Sequence, residues 1–206
     1  MKRLTTLTLL ISFLISMGSF SQAQDSTETM QLSLQEGHEM MIDGTSNVRD
    51  WDAKVKTINP TIVMKSFDMS DLSNLSAEHF EELELSFPVE DIESESGRLT
   101  KNMHKYLKGD DHPMITFDLS EIDSISINGN TATITASGII NAAGVDHETT
   151  MTVDATFENG TVTFSGTQPL KMTDFNIEPP TALFGTIRAT DEIDIIYSVS
   201  FAKGSV

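Results

Sequence analysis

Residues 151–165 read MTVDATFENGTVTFS. Met151, Val153, Ala155 and Phe157 alternate with Thr152, Asp154 and Thr156. Asn159-Gly160 follows, and then Val162 and Phe164 alternate with Thr161, Thr163 and Ser165. Apolar residues at every second position describe a strand with one buried and one wet face, because successive side chains point to opposite sides. Asn-Gly between two such runs is the strongest local hairpin signal, since both residues tolerate the positive φ of a two-residue turn.

The same pattern continues outward. Ile115, Phe117 and Leu119 alternate with Thr116 and Asp118, and Asn128-Gly129-Asn130 separates that run from the next. Ala142-Ala143-Gly144-Val145 reads as a third, looser turn. Strands near 113–127, 130–141, 147–158 and 161–172 are therefore predicted to form an antiparallel meander. Leu83, Leu85, Phe87 and Val89 share one face of an earlier strand. Ile193, Ile195, Tyr197, Val199 and Phe201 share one face of a last strand over 191–202. Further strands are predicted near 30–35, 38–45, 50–59 and 80–92. Strands apolar on one face must hide that face. A closed barrel does so and removes the edges, and a two-sheet sandwich also satisfies the alternation. The outward residues are Thr, Ser, Asp and Glu, which excludes a barrel that faces lipid.

Two segments break the period. Residues 98–109 (RLTKNMHKYLKG) read as a short amphipathic helix. Arg98, Lys101, Lys105 and Lys108 form one stripe, with Leu99, Met103, Tyr106 and Leu107 beside it. Residues 173–188 contain Pro179-Pro180, which forbids regular structure. Phe175, Ile177, Leu183 and Phe184 in this loop need cover, as a lid or as a plug.

The chain has 206 residues, with 13 Lys+Arg against 31 Asp+Glu, a formal charge of −18 and no cysteine. The length fits one domain behind a leader. The charge excludes nucleic acid as a partner, because phosphate contacts need a basic surface. Absence of cysteine excludes disulfides, thiolate metal sites and a cysteine nucleophile. Lys2-Arg3, the uncharged run Leu4 to Phe20 and Ser21-Gln22-Ala23 have the layout of a signal peptide cut after Ala23. The competing transmembrane anchor is shorter than the ~20 residues a span needs and is diluted by Ser, Thr and Gly. Residues 1–23 are thus expected to be a signal peptide, 24–29 a flexible leader and 30–206 the folded domain. Export follows, with no integral membrane anchor.

Catalytic and metal patterns are missing. The histidines at 38, 79, 104, 112 and 147 have no metal-binding spacing. Asp68, Ser70 and Asp71 match only part of a calcium loop, and Gly44 to Val48 lacks the second glycine of a nucleophile elbow. No cofactor and no enzymatic activity are expected.

Several segments in order resemble the YceI-like family of lipid- and polyisoprenoid-binding domains, in the form common in Bacteroidota-type secretomes. Gly44-Thr45-Ser46-Asn47-Val48-Arg49-Asp50-Trp51 resembles the early family motif, with Arg49 at a usual His. Leu85 through Phe87-Pro88-Val89 to Lys101-Asn102-Met103 and Leu107-Lys108 resembles its strand-plus-helix block. His112-Pro113-Met114-Ile115-Thr116-Phe117 resembles its next strand start, with His112 at a usual Tyr. Gly138 to Val145 resembles a family turn, and Asp174 to Ala182 its last loop. Residues 60–78 fall outside the pattern, as a lineage insertion would.

The resemblance implies an all-β fold, a lipocalin-like antiparallel barrel of about eight strands with a short helix. It also implies an apolar cavity for an isoprenoid-type lipid or quinone-like amphiphile. Trp51, Leu85, Phe87, Phe117, Phe157, Phe164, Ile195 and Tyr197 are the expected wall. Arg98, Lys101, Lys105, Phe175 and Phe184 are the expected headgroup and lid contacts. Two alternatives stay open. The inward aromatics are large enough to fill the barrel, which would leave an interaction or structural protein with no small ligand. The basic stripe equally fits a solvated face opposite the acidic run Glu78–Glu95.

Overall fold

The Asn159-Gly160 hairpin turns as its sequence demands, with both residues at positive φ (52° and 76°). The computed structural model describes residues 28–182 and 184–204. The expected signal peptide lies outside the described residues. Thr29, assigned above to the leader, already belongs to the first strand, and the Glu28 carbonyl accepts from the Ser66 amide at 2.7 Å.

The elements run β1 (Thr29–Leu34), β2 (Glu39–Ser46), β3 (Trp51–Val55), β4 (Asn59–Lys65), β5 (Phe80–Pro88) and β6 (Ile92–Glu93). Then come α1 (Gly97–Tyr106), β7 (Met114–Asn128), β8 (Thr131–Ala142), β9 (Val145–Glu158), β10 (Thr161–Lys171), β11 (Thr181–Ala182) and β12 (Ile187–Lys203). The predicted meander is β7-β8-β9-β10. Its third turn is tight rather than loose: Ala143 and Gly144 sit at φ 53° and 78°.

Antiparallel pairing runs β1-β4-β5-β7-β8-β9-β10-β12, and β12 pairs back onto β1. Eight strands therefore close a barrel, which decides against the sandwich. The long β12 serves two neighbours on one side. Its lower part pairs with β1 through Phe201 to Lys203, and its upper part pairs with β2 from Ala189 to Ser198. β2 leads to β3 and β6, and α1 follows β6. Ser96 caps α1 by accepting from the Leu99 amide, and the His104 ring donates to the Ile92 carbonyl at 2.9 Å. No helix among the described residues is long and apolar enough to cross a membrane.

The stretch 60–78 holds a wall strand, because β4 bridges β1 and β5 with Ile62 and Met64 buried. Pro60 and a short run hid it from the alternation. Residues 66–79 then cross the lower end, where Leu72 and Leu75 are buried and Phe67 meets Phe157 edge to face. Around this end Phe157, Phe164, Val162 and Phe201 pack over the small Ala132 and Ala155. Large against small across paired strands is how an interior reaches organic-crystal density.

Candidate functional site

The upper barrel is hollow. A cavity of about 570 Å³ runs down from the β2–β3 turn, Ile177, Pro180, Thr181, Ile187 and α1 to a floor at Phe164 and Phe201. This lies within the range of sites that enclose an organic ligand, about 300–1,000 Å³. The wall is almost all apolar: Met40 and Ile42 from β2, Ile134 and Ala136 from β8, Met151 and Val153 from β9, Ile193 and Ile195 from β12. α1 turns Leu99, Met103 and Tyr106 to it. Charged groups on the lining are Arg49, Arg98 and Glu84, each solvent-exposed.

The space survives because three aromatics lie flat on the wall. The Trp51 indole covers Gly44, and a β-carbon there would overlap its ring. Phe117 covers Gly138 in the same way. The Tyr197 hydroxyl would lie 2.7 Å from a β-carbon at Gly166. Without a side chain beneath, a ring drops into the strand plane and leaves the lumen free. Trp51 is fixed further by its indole N–H, which donates to the Thr45 carbonyl at 3.2 Å.

Of the expected wall residues, Trp51, Leu85, Phe87, Phe117, Phe164, Ile195 and Tyr197 border the cavity. Phe157 does not; it packs below the floor against Phe67, since its layer is already filled. Arg98 stands at the rim, but Lys101 and Lys105 project into solvent on the outer face of α1, so the basic stripe is not a continuous lining. The helix ends at Tyr106, and Lys108 lies beyond it, with its ammonium donating to the Ala143 carbonyl at 3.3 Å. Phe175 is buried and borders the cavity beside His147. Phe184 is fully exposed and covers nothing.

A short turn at Met172–Phe175 carries Phe175 to the wall. It is pinned by Asp191, whose carboxylate accepts from the Thr173 amide at 2.9 Å and the Thr173 hydroxyl at 2.6 Å. Those bonds, the hydroxyl first, hold the Asp191 carboxyl below its ordinary value. Burial pushes the Tyr197 phenol up to about 12, with a smaller push from Asp154.

One wall residue, Gln168, is not singled out by its sequence pattern. Gln168 is the buried polar side chain of the described core, 7% exposed, and it borders the cavity. Only its position marks it: Val162, Phe164, Gly166, Gln168 and Leu170 share one parity on β10. Among the described residues no cluster of His, Asp or Glu could hold a metal ion.

A closed antiparallel barrel with an apolar hollow is a lipocalin-like binding architecture. The chain belongs to the YceI-like domain family, whose model matches residues 19–201. No curated protein matches its sequence. Solved structures share the fold. BcnA of Burkholderia cenocepacia is 18% identical at a TM-score of 0.59, over 79% of this chain and 95% of its own. A polyisoprenoid-binding domain from Saccharophagus degradans, implicated in plant cell wall breakdown, is 8% identical at 0.64, over 86% and 100%. The Campylobacter jejuni YceI protein is 18% identical at 0.53, over 74% and 85%.

Proposed function

We propose that this protein is exported and carries or sequesters a long isoprenoid-type or similar amphiphile, a quinone-like one included, in the barrel cavity. The observation that carries this is the cavity of about 570 Å³ whose charged lining is confined to exposed groups. Affinity would come from area: about 0.8 kcal/mol per buried CH₂ gives roughly 8 kcal/mol gross for ten carbons, less the cost of association. The polyisoprenoid-binding name of the Saccharophagus domain supports the same ligand class. Binding without catalysis is the role proposed. The hollow weighs against a filled-barrel interaction protein.

Trp51 is the sole tryptophan and borders the cavity, so its fluorescence reports occupancy. Titration with a prenyl alcohol or a prenylated quinone is expected to give a saturable change, reversed by extraction. No change, with no retention of either compound on gel filtration, overturns the proposal.

A further inference from the structure

The inner wall holds two polar atoms without a partner among the described residues, the Gln168 amide oxygen and the Tyr197 hydroxyl. Gln168 donates its amide N–H groups to the Thr149 hydroxyl at 3.0 Å and the Pro169 carbonyl at 3.3 Å. A carbonyl only accepts, so the amide nitrogen faces Pro169 and the amide oxygen is the atom left over. That oxygen has no partner among the described residues, though the residue is more than nine-tenths buried. Tyr197 is the second group. Its hydroxyl lies over Gly166, two positions along β10 from Gln168 on the same inward face, and likewise has no partner. Burial keeps that phenol protonated at any physiological pH, so it is a donor.

The pair is an acceptor and a donor on neighbouring inward positions of the β10–β12 ladder, both bordering the apolar cavity. Both atoms stay accessible rather than sealed in the wall, so a polar group that enters the cavity can bond them. Among the described lining residues the cations are Arg49 and Arg98, both solvent-exposed, which disfavours a phosphate or carboxylate beside the buried Gln168. A hydrocarbon tail satisfies neither group.

We infer that Gln168 and Tyr197 form a recognition pair for an uncharged head group that both donates and accepts a hydrogen bond, such as the hydroxyl of a long-chain alcohol, bound head inward. This rests on the lipid-binding role proposed above and adds orientation and head-group class to it. The bond between Gln168 and Thr149 also has a structural use. The β9–β10 ladder ends at Asp154 and Ser165, and this bond spans the gap above it. A test must therefore separate selectivity from stability.

The full chain is titrated with geranylgeraniol, the matched geranylgeranyl hydrocarbon and geranylgeranyl phosphate, following Trp51 fluorescence. The alcohol is expected to bind at least about tenfold tighter than either of the others, as a satisfied buried hydrogen bond allows. Tyr197→Phe removes only a hydroxyl, and Gln168→Leu removes the amide. Each is expected to erase the alcohol-over-hydrocarbon ratio while the hydrocarbon still binds. A loss of packing alone would weaken both ligands together and leave the ratio intact, which overturns the inference. Equal binding of alcohol and hydrocarbon by the unaltered protein overturns it too. So does tighter binding of the phosphate that is lost in Arg49→Glu with Arg98→Glu, which would place the head at the mouth. If none of the three ligands binds, the lipid-binding role itself falls.

Discussion

The two ends of the barrel are built from the same alternating strands, yet one is solid and the other hollow. At the lower end Phe157, Phe164 and Phe201 project inward over Ala132 and Ala155, and Phe164 meets Phe201 edge to face at 5.8 Å. At the upper end Trp51, Phe117 and Tyr197 lie back on Gly44, Gly138 and Gly166. Aromatic content does not distinguish the ends. What lies beneath each ring does: an alanine-lined layer lets rings stand up from the wall and meet one another, whereas a glycine in the wall takes the ring out of the lumen.

The largest expected effect is the gap between the ends on truncation. Phe157→Ala, below the floor and away from the cavity, should cost about 3–5 kcal/mol in denaturant unfolding. Phe117→Ala, whose ring already borders open space, should cost about 1–2 kcal/mol. Equal losses would mean the upper end packs as tightly as the lower one.

Gly138→Ala sharpens the same contrast. The added methyl overlaps the Phe117 ring and the Asp118 carbonyl; it should drive the ring into the lumen and disturb the β7–β8 pairing, costing about 3 kcal/mol and weakening any bound amphiphile. Gly129→Ala meets no neighbour, but its φ of 64° makes the turn strained. It should cost about 1 kcal/mol and leave ligand affinity unchanged.

Acid should loosen the Met172–Phe175 turn. The Asp191 carboxyl titrates below its ordinary 3.8 when folded. Its hold on Thr173 is therefore complete above that value and lost as pH falls through the folded value. The protection factor of the Thr173 amide, its exchange taken relative to the intrinsic rate at each pH, should fall on acidification below about 3.8, and Asp191→Asn should flatten that dependence.

The smallest effect lies on the outer wall. Asp194, Asp43 and Asp52 stand at one level across β12, β2 and β3, and one Asp43 carboxylate oxygen is buried without a partner among the described residues. Like charges directly opposed cost roughly 0.2–1 kcal/mol. Asp43→Asn should raise stability by that order, less so at high salt.

The meander was legible because its faces alternate without interruption and Asn159-Gly160 marks its turn. The helix was legible from its apolar face, although only Arg98 of the basic stripe reaches the rim. β4 was obscured by Pro60 and by its short run. The division of β12 between β1 and β2 is a long-range choice that no local pattern encodes. Phe157 and Tyr197 look alike in alternation, and only the glycine across the ladder from Tyr197 separates wall from filling. Such pairings are readable once register is known, and register is what a single sequence leaves undetermined.

The most direct test is mass spectrometry of an organic extract of the protein purified from its native host. A long-chain amphiphile near one equivalent per chain is expected. An extract free of such compounds, from protein that also fails to take up prenyl alcohols or quinones when they are added, would contradict the account.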